Sequence, residues 1–137
     1  MGGYGRGGMR HERHYTREQA TAALGQVAEL LETMRDARER LTDTEVRDAL
    51  AEAAPTNGGG RPGRHVSEAF LQLRDAAARL REMEVVLRDL DRGLLDFPAL
   101  QDGREVYLCW VEREEDGIAF WHDLDAGYAG REPLDAA

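Results

Sequence analysis

The chain has 137 residues, and its 27 acidic side chains against 18 Lys and Arg give a formal net charge of −9. This length is enough to form a core without a metal ion, the single cysteine excludes an internal disulfide, and the acidic balance disfavours wrapping by nucleic acid. The sequence also lacks the apolar run of a signal peptide and the roughly 20 apolar residues that span a bilayer. These features predict a cytoplasmic protein with a reduced cysteine.

Residues 1–14 are predicted to form a flexible tail, because they are rich in glycine and arginine and offer little apolar surface to bury. The stretch GRGG at residues 5–8, beside Tyr4, is faintly similar to the Gly-Arg repeats of RNA-binding segments. Since there is a single copy, we expect at most a weak contact between this tail and nucleic acid.

Two histidines near the end of this tail allow two interpretations. His11 and His14 are three positions apart, a spacing that would let them share a metal ion on one face of a helix. Thr16 and Gln19, however, form a capping-box pattern, which predicts that the helix begins after both histidines. We therefore expect a solvated pair of side chains rather than a pair of metal ligands.

The first helix is predicted from Thr16 to about Leu41, because apolar residues recur there in steps of four and three. Two continuations are open: either the helix extends to Ala54, or a short second helix capped by Thr42 or Asp43 follows it. The apolar seam of the first helix consists of Ala20, Leu24, Val27, Leu31, Met34 and Leu41.

Residues 55–65, rich in glycine and proline, are predicted to form a mobile connection to a second long helix that begins near Ser67. Two helices of similar length joined by one connection predict an antiparallel helical hairpin. A second apolar stripe on the later helix has no partner within such a hairpin, so it needs a cover from the C-terminal sheet or from a second copy of the chain. We therefore expect a homodimer. The stripe consists of Phe70, Ala77 and Val86.

The last third of the chain carries the strand patterns. β-Branched and aromatic residues dominate REVYLCWV (104–111) and GIAFWHDL (117–124), and two earlier runs near 85–90 and 94–100 fit strands on either side of a turn. The first of these runs also continues the helical pattern. Together the runs predict a four-stranded antiparallel meander, and with the helices an α+β fold in one domain over residues 15–134.

The register of the last hairpin decides which side chains share a face. A two-residue turn at Asp116 and Gly117 would place Cys109 on the face of His122. A three-residue loop with a bulge at Gly117 would instead place Cys109 on the face of Trp121 and direct His122 away from it. The sequence alone does not choose between these registers.

Several segments together resemble a known family. They are the Tyr15-Thr16 start of the first helix and the stretches DLDRGLLDFPAL, REVYLCW and FWHDLDAGYAGREPL. From Tyr15 to Leu134 the chain resembles a prokaryotic family catalogued as domain of unknown function 2203. The resemblance implies that the 85–90 run is the first strand and that Glu84 replaces a glycine usual before it. It implies no reaction.

One set of candidate residues suits a divalent metal. His122 is followed by Asp123 and Asp125, and an imidazole with carboxylates can hold a metal ion or transfer a proton. Cys109 is a further candidate ligand, although its position in the middle of a strand favours an inert core cysteine. A half-buried, hydrogen-bonded histidine at a strand end is the plain alternative for His122.

A second set of candidate residues suits an acidic ligand. Asp96 lies in an apolar run, so its carboxylate is expected to pair with a backbone amide or with an arginine, of which Arg104 and Arg131 are the candidates. An alternative is that these arginines bind an anion. Trp110 and Tyr128 would add an apolar surface if they are exposed.

No complete catalytic constellation is evident, so the sequence does not decide whether the protein is an enzyme. The leading prediction is a small non-catalytic, dimeric interaction or ligand-binding module. The alternative is a metal-binding protein or metal-dependent enzyme that uses the strand end around His122 together with Cys109.

Overall fold

The computed structural model describes residues 8–54, 66–114 and 117–134. Within these ranges it contains three α-helices and an antiparallel sheet of five strands, which confirms the predicted α+β class. Of the described residues, those up to Leu24 and from Glu84 onward form one compact unit, and those between Gly25 and Met83 form another. The single domain predicted over residues 15–134 stays a prediction. None of the helices in the described ranges has the length and apolar character needed to cross a membrane.

The first helix, α1, spans Arg17–Glu39, close to its predicted limits. Its capping box is present, because the Thr16 hydroxyl accepts from the Gln19 N–H at 3.0 Å and the Gln19 side chain accepts from the Thr16 N–H at 2.9 Å. The chain then leaves α1 and begins a short helix, α2, Asp43–Glu52. Thr42 caps α2 through the Glu45 N–H at 3.1 Å, so the second of the two predicted continuations is the correct one.

The third helix, α3, spans Glu68–Glu82 and begins at the predicted cap, Ser67. With 15 residues against 23 in α1, it does not match α1 in length, and α2 packs against it. The prediction of a simple hairpin of two matched long helices is therefore wrong in detail. The helix ends early because Glu84 adopts the left-handed conformation, with φ of 59°.

Two of the three side chains in the predicted second apolar stripe are buried within one chain, and the third, Val86, is half-buried in the first strand of the sheet. Phe70 and Ala77 have exposed fractions of only 2% and 5%. The argument that these side chains need a second copy of the chain therefore no longer holds. The homodimer itself stays a prediction. The residues 55–65 that precede α3, like residues 1–7 of the predicted tail, lie outside the described ranges.

The sheet follows the chain in order, from β1 to β5. Four strands form the predicted meander, and a short fifth strand, which the sequence pattern did not predict, pairs with the fourth. A single 3₁₀ turn, Tyr128–Gly130, precedes the fifth strand. The strands are β1 Val86–Asp89, β2 Leu94–Gln101, β3 Arg104–Val111, β4 Phe120–Asp123 and β5 Glu132–Pro133.

The register between β3 and β4 combines parts of both sequence alternatives. Cys109 lies opposite Phe120, so it shares a face with His122, as a two-residue turn would require. That turn would, however, place Cys109 opposite Leu124, so the predicted two-residue connection is wrong. The actual connection is longer and uses Gly117 with a φ of 75°, while Asp116 lies outside the described residues.

Glu84, whose backbone is strained, binds the segment that precedes α1. Its carboxylate accepts hydrogen bonds from the backbone N–H groups of Glu12 and Arg13, at 3.2 and 2.9 Å, and contacts Nδ1 of His11 at 3.2 Å. A glutamate in place of the expected glycine thus ties the start of the chain to the beginning of the sheet. The prediction that His11 is part of a solvated tail is wrong, because it meets this carboxylate.

We expect Glu84→Gly to lower the free energy of unfolding by about 1–2 kcal/mol, although glycine relieves the left-handed strain, because several charge-assisted contacts are lost. Urea unfolding measures this change. Asp102→Gly is the matched control: Asp102 also has a positive φ, 53°, in the turn between β2 and β3. That variant should change stability by less than about 0.5 kcal/mol. A more stable Glu84→Gly variant would contradict the assigned role.

Candidate functional site

Three side chains with metal-ligating atoms meet on one face of the sheet. Asp96 comes from β2, Cys109 from β3 and His122 from β4, and their ligand atoms all lie within 4.8 Å of one another. Each residue is only 1% exposed. We call this group the Asp96–Cys109–His122 centre. The register creates it, because Asp96 lies directly opposite Cys109 while His122 lies on the same face of the next strand.

The imidazole of His122 is fixed at both nitrogens. Nδ1 lies 2.7 Å from the backbone carbonyl oxygen of Asp123, and Nε2 lies 3.0 Å from Oδ1 of Asp96. A carbonyl oxygen only accepts hydrogen bonds, so we assign the Nδ1 proton to this contact. Nε2 is thereby directed into the centre.

The second carboxylate oxygen of Asp96 accepts a hydrogen bond from Nε of Arg88 at 2.9 Å. The predicted partners, Arg104 and Arg131, are therefore wrong. Arg88 lies at an irregularity in the pairing of β1 with β2, between Leu87 and Asp89, which a regular strand pattern does not reveal. Its side chain is 41% exposed, so the buried carboxylate lies one side chain away from solvent.

The thiol of Cys109 is held in its neutral form. Burial, and after it the nearby charge of Asp96, raise its pKa to about 11 against the opposing effect of Arg131. Leu94 and Val111 pack around the thiol as part of an apolar cluster. A neutral, buried thiol is a poor nucleophile, so the centre does not have the properties of a cysteine-dependent active site.

Arg131 lies at the edge of the centre, held from several sides. Its Nη1 is 2.9 Å from Oε1 of Glu114 and 3.7 Å from Sγ of Cys109. The centre of its guanidinium lies 3.8 Å from the ring centroid of Phe120 and 4.5 Å from that of Tyr128. Burial would lower the pKa of Arg131, but the hydrogen bonds and charges of Glu114 and Cys109 together outweigh it and the pKa is raised.

The other predicted metal ligands do not join the centre. The side chain of Asp123 forms an ion pair with Arg104, and Asp125 forms one with Arg10 and is 86% exposed. Of the predicted metal set, the structure therefore brings together only Cys109 and His122, and the carboxylate comes from Asp96.

The predicted ligand-binding set is dispersed. Trp110 is buried on the opposite face from Asp96, because neighbouring residues of a strand point to opposite sides. Arg104 lies toward the other end of β3, and Tyr128 is 37% exposed in the 3₁₀ turn. These residues do not line one pocket with Asp96.

The same face of the sheet carries a polar group that sequence reasoning missed. Glu105 is buried, and its carboxylate accepts from the backbone N–H groups of Arg10 and His11, at 2.7 and 3.0 Å, and contacts Nε2 of His14 at 2.9 Å. The prediction of a solvated His14 is therefore wrong. Burial would raise the pKa of Glu105, but the contacts with Arg10, His14 and His11 lower it below its usual 4.5.

Tyr107 connects this polar group to the centre. Its hydroxyl lies 2.8 Å from Nε2 of His11, and its ring centroid lies 5.6 Å from that of His122. The guanidinium of Arg88 lies 5.2 Å from the same ring. The only sequence signal for this contact is the position of Tyr107 two residues before Cys109 on one strand.

Residues 13–134 match the family described as Uncharacterized conserved protein (DUF2203), and the chain belongs to this family. No curated protein and no solved structure matches the chain. Family membership therefore supports the resemblance seen in the sequence and assigns no activity to the centre.

The lowered pKa of Glu105 predicts an acid-dependent loss of stability. A group whose pKa is lower in the folded state stabilises the fold above its unfolded-state pKa, and this contribution disappears as the pH falls through the folded-state pKa. We expect Glu105→Gln to cost about 2–3 kcal/mol at pH 7 and progressively less below about pH 4.5. Urea unfolding of the variant and the wild-type protein across this pH range measures this cost. Glu132→Gln, at an exposed position, should cost little at any pH; a Glu105→Gln penalty independent of pH would contradict the assignment.

The burial and raised pKa of Cys109 predict an unreactive thiol. In the chelator-treated protein at pH 8, only about one thiol in a thousand would be ionised at a pKa of about 11. A chromogenic disulfide reagent should therefore label native protein very slowly and urea-unfolded protein completely. Cys109→Ser provides the blank. Rapid labelling of native protein at pH 8 would contradict the buried, neutral thiol.

Proposed function

We propose that this member of the DUF2203 family binds a divalent cation of the zinc type at the Asp96–Cys109–His122 centre. The observation that carries the proposal is the convergence of a carboxylate, a thiol and an imidazole within 4.8 Å in a buried site. Thiolate, imidazole and carboxylate are the three side-chain donors that zinc accepts in proteins. Hard cations such as calcium and magnesium instead prefer oxygen donors alone.

The surroundings of the donors support the same function. Metal-bound histidines usually donate their second ring N–H to a carbonyl or carboxylate, and His122 Nδ1 has this arrangement with the carbonyl oxygen of Asp123. Ligating carboxylates are commonly held by a further hydrogen bond, and Arg88 supplies one to Asp96. These contacts orient Nε2 and Oδ1 toward the same point.

The charge balance of the centre also favours exchange of protons for a cation. In the metal-free protein, the contact between His122 Nε2 and Asp96 requires one proton between these two groups, and Cys109 keeps its thiol proton. A divalent cation would displace both protons, because it needs a neutral imidazole and a thiolate. The total charge of the buried group is the same before and after this exchange. Binding therefore adds no uncompensated charge to the interior.

A titration of metal-free full-length protein tests the proposal. Co²⁺, a coloured analogue of zinc, should bind once per chain with a thiolate-to-metal absorption band, and Zn²⁺ should displace it. A pH indicator should record the release of about two protons per cation near neutral pH. A centre that is only a buried ion pair would show neither response.

Variants locate the site. We expect Cys109→Ser, Asp96→Asn and His122→Gln each to weaken Zn²⁺ binding by about 100-fold or more, since even outer contacts of metal ligands are worth about 10- to 100-fold. Asp125→Asn is the matched control, because Asp125 is an exposed aspartate outside the centre, and its affinity should not change. Circular dichroism verifies folding. Sub-stoichiometric binding, or binding unaffected by all three variants, would remove the proposal and leave a structural ion pair.

A further inference from the structure

We propose that a small oxyanion, a carboxylate or a phosphate, is the fourth ligand of the cation and that Arg131 binds it. This inference rests on the proposed metal-binding function and adds the ligand class. Three protein donors leave a tetrahedral cation one further position, and catalytic zinc sites use that position for water or substrate. The contacts of Arg131 and the charge of the centre indicate which class of ligand fits this fourth position.

Contacts within the protein fix the position of Arg131 without any bound ligand. It lies one residue before β5 at the edge of the sheet, between the rings of Phe120 and Tyr128. Its Nη1 bridges Glu114 and the Cys109 sulfur, so the guanidinium lies beside a proposed metal ligand. A planar cation held in this way loses little freedom when it binds an anion.

The remaining donors of Arg131 are available to a ligand. A guanidinium carries five N–H groups, and the hydrogen bonds of Arg131 to other residues in the described ranges use Nη1 alone. No fully buried side-chain nitrogen or oxygen in those ranges lacks a partner. The Nε and Nη2 groups of Arg131 therefore reach solvent, where a dissolved anion can meet them.

The charges around the loaded centre favour an anion over a neutral ligand. The proposed cation position has a guanidinium on two sides, because Arg131 contacts the Cys109 sulfur and Arg88 contacts Asp96. The carboxylate of Glu114 pairs with Arg131 and offsets part of this positive charge. A divalent cation flanked by two arginines attracts an anion more strongly than it attracts water or a neutral molecule.

The shape of the guanidinium selects the class of anion. Its two parallel N–H donors match the oxygen pairs of carboxylates and phosphates, and this geometry favours such planar or tetrahedral oxyanions over halides. With one oxygen on the cation and another on Arg131, a small oxyanion would be bound at two points.

The test uses Co²⁺-loaded full-length protein titrated separately with sodium phosphate and sodium acetate at constant ionic strength. We expect at least one of the two to shift the visible cobalt spectrum with saturation, whereas chloride does not. Arg131→Met should weaken binding of that anion by tenfold or more when both proteins are compared after full loading with Co²⁺, as verified by metal analysis. Arg113→Met is the control, because it removes the same charge from an exposed position in the β3–β4 connection and should leave the anion affinity unchanged.

The outcomes separate this inference from the metal proposal. Full cobalt loading without an anion-dependent spectral change overturns the inference and leaves the metal site intact. If the cobalt spectrum of the Glu114→Gln variant differs from that of the wild-type protein, and added anions do not change the wild-type spectrum, then Glu114 supplies the fourth ligand. This outcome also overturns the inference. Failure of cobalt to bind at all rejects both proposals. An anion affinity equal in the Arg131→Met and wild-type proteins shows that Arg131 has no part in binding.

Discussion

The carboxylate of Asp96, buried in the sheet, is the constraint on which the rest of this face depends. An ionised carboxylate is costly to remove from water unless hydrogen bonds and an opposite charge compensate it. Here Arg88 binds one oxygen and His122 the other, at 2.9 and 3.0 Å. Arg88 comes from β1, which pairs with β2, and His122 comes from β4, which lies beyond β3, so the carboxylate links side chains of three different strands. Loss of either partner would leave a partly compensated buried charge, a change typically worth about 3–5 kcal/mol.

The residues that precede α1 complete the same face of the sheet, and carboxylates hold them there as well. The carboxylates of Glu84 and Glu105 each accept two backbone N–H groups from the residues that precede α1. An irregular segment must place its backbone donors somewhere, and these two side chains supply the acceptors. Glu84 does so from a strained conformation, whereas a glycine there would be unstrained but would offer no acceptor. The segment therefore belongs to the sheet unit in spite of its polar composition.

The features of the fold that depend on residues close together in the chain could be predicted from the sequence. The caps at Thr16 and Ser67 and the order of the first four strands depend on neighbouring residues, and each is as the sequence indicated. The cap at Thr42 is one of the alternatives that the sequence left open. The five strands also confirm an α+β class, although β5, only two residues long, carries no periodic signal.

Side chains that meet across the sheet were predicted less well. The sequence indicated Cys109 and His122 as candidate metal ligands, with the adjacent Asp123 and Asp125 as the carboxylates. The carboxylate that joins them is Asp96, and this depends on the register of the strands. Arg88 was missed because the pairing of β1 with β2 was not known: Val86 lies opposite Asp96, and Arg88, two residues further on, falls on the same face. Pairings over such distances follow from three-dimensional packing, which no single segment encodes.

Asp96 and Arg131 act in opposite directions on the cysteine of the centre. The negative charge of Asp96, which accepts a hydrogen bond from Arg88, adds to the effect of burial in raising the pKa of the Cys109 thiol. Arg131 touches the sulfur directly and opposes that shift, yet its charge is largely committed to Glu114. The balance leaves the thiol protonated and protected in the absence of a cation. Under the proposed function, a divalent cation supplies the charge that neither arginine provides, so ionisation of Cys109 and occupation of the centre become one event.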